Sequence, residues 1–394
     1  MSATTLFFEP LDVLFLRGNK LFGDPGSFGE SLVPPWPSVA AGAIRSRMLA
    51  DAKLAFPAFA RGEAAHPELG TPAEPGTFTV AAFHLARRRA DGSVEILVAA
   101  PADLVLIEGT ERRPVARALA PQPLAAGITA SSPFPMAPVL ADATRGKPAA
   151  GWWLTQEGWA TYLSGGLPEP EHFVKSSALW VLDARVGVGL DAAQRRAADG
   201  RLFTVQAVAM VKRGHRIGES TIADYDTGFL AAIQGAQPPR SGSLRLGGDG
   251  RAAAVHVSDK TLPEPDYAAI AASRRCRLVL TTPGIFPGGW LPIGAQPQER
   301  GPDGAVLFRL HGVSGRIVCA AMPRFEVVSG WDLAQSAPKP ALRAVPAGSV
   351  WWLDDLDASP EVLRKLVARG LWSEPCEDAA RRAEGFNRCT FAAY

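Results

Sequence analysis

The chain has 394 residues, of which 47% are hydrophobic, so it is long enough to form two domains with buried cores. Its formal net charge of +2 excludes a strong overall field that attracts nucleic acid, and any RNA site must be a local patch. Arginine predominates among the basic residues, with 33 arginines and 8 lysines, and its guanidinium suits bidentate phosphate contacts and base stacking. A GC-rich genome also explains this bias, since alanine, glycine and proline are abundant too.

The spacing of the cysteines and the hydropathy of the chain exclude several other classes of protein. The four cysteines lack the CxxC spacing of a zinc knuckle and are typical of reduced thiols in a cytoplasmic protein. The first apolar run is interrupted by Glu9 and Asp12 and follows no basic region, so it does not predict a signal peptide. No uncharged run approaches the length of a membrane span. We therefore expect a cytoplasmic protein without a membrane contact.

The first predicted elements lie between residues 6 and 51. An apolar, β-prone run is followed by a Gly/Pro-rich loop that carries Arg17 and Lys20. Ser38 follows a Pro-Pro-Trp-Pro segment and is expected to be the N-cap of a helix that ends near Asp51. A strand, a glycine loop and a capped helix place free N–H groups and basic side chains at one sheet edge, which predicts an anion site.

Loops, a hairpin and a short helix are predicted next. Residues 56–76 and 108–151 are rich in proline and alanine and are predicted to be a loop and a long connection or lid. Apolar runs at 78–88 and 94–106 flank an Asp-Gly turn, which predicts a hairpin. A helix is predicted at 155–164, where two glycines end it.

The second half is predicted to be rich in strands. Ser359, with a proline after it, is typical of the N-cap of a helix that Gly370 ends. The tail at 373–394 is polar and is predicted to be mobile. Apolar, strand-like runs lie at 177–188, 202–211, 227–233, 252–257, 277–280, 316–328 and 345–353.

Two glycine motifs are candidate binding sites. Residues 187–192 match GxGxxA, but a dinucleotide site needs a helix after the turn and an acid near the next strand end, where Lys212 and Arg213 stand instead. We interpret this motif as structural. Residues 246–251, LGGDGR, are interpreted from the residues alone as a hairpin turn with positive φ angles. Alternatively, their N–H groups approach a sugar-phosphate chain and Arg251 binds a phosphate.

Several aromatic and acidic residues can be interpreted either as structural or as functional residues. Trp290 and Trp331 lie in glycine-rich turns and could stack bases, whereas Trp351 and Trp352 are expected in the core of a strand. The acidic residues at 354–357 precede a helix, and we interpret them as complements of its dipole rather than metal ligands.

Among the histidines, only His215 is a candidate general acid/base, because it lies in a basic loop with Lys212 and Arg216. His256 and His311 lie in apolar, strand-like runs and are expected to be structural. The sequence contains neither a P-loop nor a recognisable nucleophile motif.

Six blocks of the sequence, in order, resemble one family. They are EPLDVLFLRGNKLF with PPWPSVAAGAIR, VGVGLD, LGGDGR, TPGIF with GWLP, SGWDL, and PKP with VPAGSV. The chain resembles the RAMP-superfamily third subunit of Cmr, the type III-B CRISPR effector complex. The segment at 385–389 departs from the glycine-rich end of many relatives, because it contains a single glycine.

The resemblance implies a fold. It is α+β, with two ferredoxin-like (RRM-like) RAMP domains and long inserted loops. The excess of predicted strands and the recurrence of a helix in each half agree with this class. We expect an N-terminal domain at 1–190 and a C-terminal domain with a polar tail at 191–394.

The resemblance also implies a function. It is that of a non-catalytic, RNA-binding subunit in antiviral defence that caps the 5′ repeat-derived handle of the crRNA. Its implied partners are the large polymerase-like Cmr subunit and the backbone Cmr subunits, without a cofactor or metal. The candidate RNA-binding residues are Arg17, Lys20, Ser38, Arg45, Lys212, Arg213, Gly247, Gly248, Arg251, Trp290, Trp331 and Lys339.

Two alternatives remain open. Some RAMP relatives cut precursor crRNA without a metal, and in that case His215 would be the catalytic residue. The near-neutral charge also agrees with a structural subunit that makes no RNA contact.

For Arg45, a position on a solvated helix face is an equally good interpretation as RNA binding.

Overall fold

The computed structural model describes residues 3–18, 28–109, 113–125, 127–128, 130, 132–142, 146–191, 193–218, 221–300, 304–332, 335 and 337–394. The fold is mixed α/β, with many strands and few helices, which agrees with the predicted balance of elements. The helices are α1 (Pro37–Asp51), α2 (Phe56–Ala60), α3 (Gln156–Leu163), α4 (Tyr267–Ser273), α5 (Pro360–Arg369) and α6 (Ala379–Glu384).

Strands supply most of the regular structure, and the sheets are largely antiparallel. The strands are β1 (Thr4–Pro10), β2 (Phe28–Gly29), β3 (Thr79–Arg89), β4 (Val94–Ala99), β5 (Leu104–Glu108), β6 (Pro114–Ala118), β7 (Ala120–Pro123), β8 (Met136–Val139), β9 (Trp152–Leu154), β10 (Phe173–Lys175), β11 (Trp180–Asp191), β12 (Arg196–Met210), β13 (Tyr225–Gln234), β14 (Ser243–Arg245), β15 (Ala252–Ser258), β16 (Cys276–Leu280), β17 (Ala295–Arg300), β18 (Val306–Leu310), β19 (Val313–Ala321), β20 (Glu326–Val328), β21 (Trp331–Asp332), β22 (Ala337–Pro338), β23 (Leu342–Ala344), β24 (Val350–Asp357) and β25 (Cys389–Ala392).

Helix α1 begins one residue before Ser38. Trp36 is the N-cap in an extended conformation, and Pro37 takes the first helical position, where its fixed φ fits and its missing N–H is not needed. Ser38 therefore lies inside the helix, and the prediction that it is the N-cap was wrong. The predicted end near Asp51 is confirmed.

The chain divides into two compact units, each assembled from three stretches. Unit 1 comprises Met1–Val94, Ser177–Lys260 and Val327–Leu342, and unit 2 comprises Glu95–Ser176, Thr261–Glu326 and Arg343–Tyr394. These units interleave along the sequence, so they divide the chain differently from a single boundary between residues 190 and 191.

The main sheet of unit 1 has the strand order β3–β13–β1–β15–β14, and its neighbouring strands are antiparallel. Strand β1 lies inside this sheet, because Phe8 pairs with both Phe229 and Val255. Its apolar side chains Leu6, Phe7 and Phe8 are fully buried, which anchors the N-terminal stretch in the core. As a result, β1 and β3 end where β13 and β15 begin.

The largest sheet of unit 2 has the strand order β17–β18–β19–β24–β16–β25. Leu278 of β16 pairs with Trp351 of β24 and with Phe391 of β25, and all three side chains are buried. Helix α5 adds Leu363 and Leu366 to this core. The predicted burial of Trp351 and Trp352 is confirmed.

The C-terminal tail is part of this core, and the prediction that it is mobile was wrong. Helix α6 begins after its N-cap Asp378, and β25 joins the sheet beside β16. Phe386 and Phe391 are both fully buried. Polar residues dominate the tail, but its few aromatic side chains bury enough apolar area to fix it.

The two predicted loops contain regular structure. Residues 56–76 begin with helix α2, and residues 108–151 contain the strands β6, β7 and β8. Strand β6 pairs with β5, so this segment is a folded part of unit 2 rather than a plain connection. The helix predicted at 155–164 is confirmed as α3, with Thr155 as its N-cap.

The GxGxxA motif lies on a β-hairpin. Residues 187–191 belong to β11, which pairs with β12 through a register shift between Val188 and Leu190. A Cβ atom on Gly187 would lie 2.5 Å from the Phe203 ring, so glycine is required for close cross-strand packing. The described residues directly after the motif form a turn and then strand β12 rather than a helix, which supports its structural interpretation.

Candidate nucleic-acid interface

The glycine motif at 246–251, called the glycine turn below, connects β14 to β15 in unit 1. Its ends are joined by a hydrogen bond from the Leu246 N–H to the Arg251 carbonyl oxygen, 2.8 Å long. Gly247, Asp249 and Gly250 have positive φ angles of 79°, 55° and 64°. Glycine adopts such angles without strain, which explains the composition of the turn.

The glycine turn packs against the loop that follows β1. The Gly248 N–H donates a 2.8 Å hydrogen bond to the Phe15 carbonyl oxygen. A Cβ atom on Gly247 would lie 2.7 Å from the same oxygen, so this approach requires glycine. Because the Gly248 N–H is used within the protein, a ligand at this turn meets side chains rather than that N–H.

This contact brings Arg17 and Arg251 to the same turn. A guanidinium nitrogen of Arg17 lies 3.8 Å from a carboxylate oxygen of Asp249. Partial burial lowers the pKa of Arg17 from its ordinary value, and the Asp249 carboxylate acts in the opposite direction. The Arg251 guanidinium lies over the Phe15 ring, 5.2 Å from its centroid, which is a cation–π contact.

Two carboxylates accompany these arginines, and the sequence prediction missed both. Asp12 accepts a 2.5 Å hydrogen bond from Arg251 and a 2.7 Å hydrogen bond from the Val13 N–H. Asp249 faces Arg17. The two bases and two acids make this group of side chains electrically neutral, so a phosphate that binds either arginine competes with a carboxylate for its N–H donors.

Lys212 and Arg213 are ion-paired in the same unit. The Lys212 ammonium lies 3.2 Å from the Glu9 carboxylate, which also lies 3.1 Å from Nε2 of His256. Arg213 donates a 2.7 Å hydrogen bond from Nε to Asp226, a nearly buried carboxylate. His256 is thus a partner of Glu9 on the neighbouring strand, which fits the structural role predicted for it.

Other candidate residues of the N-terminal stretch lie elsewhere or outside the description. The Arg45 guanidinium lies over the buried Phe78 ring, 5.0 Å from its centroid, so it packs on the protein core. Ser38 occupies the first turn of α1. Lys20 lies outside the described residues.

Trp331 and Lys339 belong to the small hairpin β21–β22 of unit 1. The Lys339 N–H donates a 2.8 Å hydrogen bond to the Gly330 carbonyl oxygen, and Trp331 pairs with Pro338. The Trp331 side chain is 55% exposed, so its ring is available for stacking.

Trp290 is in unit 2. Its ring meets that of Phe134 edge-on at 5.3 Å and packs partly buried against the core of that unit. The predicted role of Trp290 in stacking bases stays a prediction.

The remaining ionisable candidates have protein partners. Nδ1 of His215 accepts a hydrogen bond from the Lys212 N–H, 3.3 Å away. Asp354 pairs with Arg275 and Asp355 pairs with Arg316. Within the described ranges, no three His, Cys, Asp or Glu side chains are arranged to hold a metal ion. No helix in the described part of the chain combines the length and apolar character needed to cross a membrane.

A family model for the CRISPR-associated protein Cas_Cmr3 matches residues 6–392. The chain belongs to the Cas_Cmr3 family. The match includes both the loop after β1 and the glycine turn, and it confirms the resemblance found in the sequence blocks. No curated protein matches this family member.

Two solved structures contain chains similar to this Cas_Cmr3 family member. One is a cryo-EM structure of the type III-B Cmr-beta bound to cognate target RNA and AMPPnP, state 1, with 12% identity, a TM-score of 0.41 and coverage of 92% of this chain and 88% of that chain. The other is the type III-B Cmr-beta bound to cognate target RNA, with 13% identity, a TM-score of 0.41 and coverage of 88% and 86%.

Proposed function

We propose that this chain is a subunit of a type III-B Cmr effector complex and binds the 5′ handle of the crRNA. The observation that supports this most is the meeting of Arg17 and Arg251 at the glycine turn, which lies within the matched family region. The two guanidinium groups come from loops more than 230 positions apart. A fold that gathers arginines at a glycine-rich turn is suited to an RNA backbone that passes close to the main chain.

The chemistry of this site is an exchange of anions. Phosphate oxygens replace the Asp12 carboxylate that accepts from Arg251 and the Asp249 carboxylate that lies 3.8 Å from Arg17, and each arginine then makes charge-assisted hydrogen bonds to phosphate. The Phe15 ring holds the Arg251 guanidinium during this exchange. Exposed aromatic side chains such as Trp331 stack unpaired bases, which are accessible in single-stranded RNA.

We further infer that each unit is built around a ferredoxin-like sheet. Such a sheet places four antiparallel strands, in chain order, as 2-3-1-4. The order β3–β13–β1–β15 in unit 1 and the order β19–β24–β16–β25 in unit 2 both support this topology. Helix α1 follows the first of these strands in unit 1, and helix α5 precedes the last of them in unit 2.

In the complex, the proposed role is non-catalytic. This subunit caps the handle and joins the large polymerase-like subunit to the backbone subunits in the cytoplasm. Family membership supports this assembly role. A domain boundary between residues 190 and 191 stays a prediction, and limited proteolysis with mass spectrometry of the fragments would test it.

The test is binding of the purified full chain to handle-bearing RNA and to the same RNA with a scrambled handle. We expect tighter binding of the handle-bearing RNA. Arg17→Ala and Arg251→Ala are each expected to weaken this binding about 10-fold, because a hydrogen bond to a charged group contributes roughly 1.5–3 kcal/mol and both side chains are partly exposed.

Arg61→Ala is the matched control. Arg61 is an exposed arginine of unit 1 with a carboxylate partner, Glu63, at 2.7 Å. We expect this variant to bind as the wild type does. Equal affinity for both RNAs, or wild-type affinity in both the Arg17 and Arg251 variants, would refute the proposed site.

The alternative of a metal-independent endoribonuclease is supported by the exposure of His215 beside Arg213 and Arg216. It is tested separately with a repeat-containing precursor RNA in EDTA. Cleavage that disappears in His215→Ala would establish the alternative, and intact RNA with the wild-type chain would refute it.

A further inference from the structure

Basic side chains gather at the end of the unit 1 sheet where β3 ends and β13 begins. Three consecutive arginines end β3, and the loop after β12 adds three more basic residues. Three acids lie among them. The residues of this group, called the sheet-end cluster below, are Arg87, Arg88, Arg89, Lys212, Arg213, Arg216, Glu9, Asp224 and Asp226.

Ion pairs hold part of the sheet-end cluster together. Arg213 is ion-paired with Asp226 at 2.7 Å, and Asp226 is the cross-strand neighbour of Arg88 in the register of β13 and β3. Glu9 lies 3.2 Å from Lys212 and 3.8 Å from Arg88. These contacts fix the basic side chains at defined positions, so they form a preorganised surface.

The other face of the same strand end carries further arginines. Because successive side chains alternate, Arg87 and Arg89 lie on the face opposite to Arg88. The Arg87 guanidinium lies 5.0 Å from the centroid of the Tyr225 ring, and Arg89 lies 3.5 Å from Asp224. The cluster therefore surrounds the strand end.

Charge distinguishes the sheet-end cluster from the rest of the molecule. Its six basic and three acidic side chains leave +3, and the neighbouring acid Asp91, which acts electrostatically on Arg89, reduces this to +2, the formal charge of the whole chain. The remainder of the chain therefore carries no net positive charge. At the glycine turn, Asp12 and Asp249 balance Arg251 and Arg17, so the sheet-end cluster carries more positive charge than that site does.

The cluster is accessible to a ligand. Arg89 and Arg213 have side chains that are 48% and 45% exposed, and Arg216 is exposed as well. Their carboxylate partners do not saturate them, since a guanidinium has five N–H donors.

The cluster and the glycine turn lie at the same end of one sheet. The glycine turn connects to β15 and the cluster to β3 and β13, in the strand order β3–β13–β1–β15. Two strand spacings separate β13 from β15 and three separate β3 from β15, which is about 10 to 14 Å. A single-stranded RNA covers this distance with a few nucleotides.

We propose that the sheet-end cluster binds the phosphodiester backbone of single-stranded RNA, independently of base sequence. This inference rests on the proposed function, because the RNA at the cluster continues the strand that is held at the glycine turn. The cluster itself is a separate site with its own measurable affinity. Cations on both faces of a strand end suit a flexible polyanion, which can follow a curved path that a rigid acidic protein surface would not.

The probe is a fluorescein-labelled oligouridylate 20-mer, which lacks the handle. Its binding to the full chain is measured by anisotropy between 50 and 300 mM NaCl, about the range over which phosphate contacts weaken. The double variant Arg89→Glu/Arg216→Glu reverses two exposed charges. We expect its affinity for the 20-mer to fall at least about 10-fold, and the salt slope to fall by about 1.4, or 0.7 for each lost phosphate contact.

The matched control is Arg61→Glu/Arg364→Glu. It makes the same change in net charge at two arginines that are 60% and 51% exposed and lie outside the cluster. Wild-type affinity and slope are expected. A neutral variant, Arg89→Gln/Arg216→Gln, with an intermediate loss and an unchanged melting temperature, separates charge from misfolding.

The outcomes of the two proposals differ. If the wild type binds both handle and scrambled RNA equally while the double variant loses the 20-mer, handle recognition is refuted and the cluster stands. If the double variant binds the 20-mer with unchanged affinity and slope, the cluster proposal is overturned, whatever the handle preference. Unchanged RNA binding with loss of assembly onto other subunits would overturn it in favour of an acidic protein partner.

Discussion

The Arg251 guanidinium lies over the Phe15 ring, 5.2 Å from its centroid, while one of its nitrogens donates to Asp12. The ring and the carboxylate have different consequences for a ligand. The ring holds the guanidinium in place and leaves its edge accessible, whereas Asp12 occupies part of that edge. Arg251 is thus oriented by the Phe15 ring and covered by the Asp12 carboxylate, which a ligand can replace.

Removing the covering carboxylates is therefore expected to strengthen RNA binding. Asp12→Asn and Asp249→Asn should each raise the affinity for handle-bearing RNA about 2- to 5-fold, since an exposed ion pair contributes up to about 1 kcal/mol. Titration by anisotropy measures this. Asp51→Asn is the control, because Asp51 is half-exposed and pairs with Arg47 at 2.7 Å outside the site. A loss of affinity in the first two variants would show that the acids orient the arginines.

Gly247 and Gly250 offer a matched pair for the role of the glycine turn. Both have positive φ angles, but a Cβ atom on Gly247 would lie 2.7 Å from the Phe15 carbonyl oxygen, whereas one on Gly250 meets no atom within 4 Å. Gly250→Ala is expected to cost about 1 kcal/mol from the left-handed backbone alone. Gly247→Ala adds a clash and is expected to cost about 1–3 kcal/mol more. Urea unfolding of the two variants measures the difference, and equal midpoints would contradict it.

The buried tail predicts a large effect for Phe391. This side chain is fully buried between neighbours of the unit 2 core, so Phe391→Ala should destabilise the protein by about 3–5 kcal/mol. Phe325→Ala is the control, because Phe325 is 62% exposed and a surface substitution costs within about 0.5 kcal/mol. Thermal melts followed by circular dichroism compare the two. A small effect at Phe391 would mean that the tail is not an integral part of the sheet.

His84 gives the protein a pH-dependent stability. Its side chain is buried in β3, and burial lowers its pKa from 6.5 to about 4. Below pH 6.5 the unfolded chain binds a proton at this histidine, whereas the folded chain does not bind it until about pH 4. The free energy of unfolding that His84 contributes is therefore fully present above pH 6.5 and decreases as the pH falls from 6.5 to about 4.

The corresponding test compares unfolding free energies at pH 7.5 and 4.5. His84→Leu should abolish about 2–3 kcal/mol of the loss that the wild type shows between these conditions. His215→Gln replaces an exposed histidine and should leave the wild-type dependence in place. An identical pH dependence in the wild type and the His84 variant would contradict the assignment.

Several local signals in the sequence predicted local structure correctly, although the N-cap of α1 was predicted wrongly. Ser359 accepts a hydrogen bond from the Val362 N–H at the start of α5, and Gly370 ends that helix, as predicted. Asp91-Gly92 forms a turn, with φ of 85° at the glycine. These features depend on a few neighbouring residues, so the sequence contains all the information needed.

Features that depend on distant pairing were beyond such signals. Asp12 and Arg251 are 239 positions apart, and neither residue type indicates that they meet. The polar composition of the tail did not indicate β25, because the burial of β25 depends on its pairing with the neighbouring strand β16. Helix α1 began at Pro37 because proline's preference for the first position outweighed the capping preference of Ser38.

The position of β1 inside the unit 1 sheet constrains how the protein is made. Phe8 pairs with Phe229 and Val255, which leave the ribosome long after it does. At about 5–20 residues per second, the 221 positions between Phe8 and Phe229 take roughly 10 to 45 s to synthesise. For that time the apolar Leu6–Phe8 segment has no strand partner in its own sheet, so it stays open to non-native contacts in the nascent chain until β13 has been synthesised.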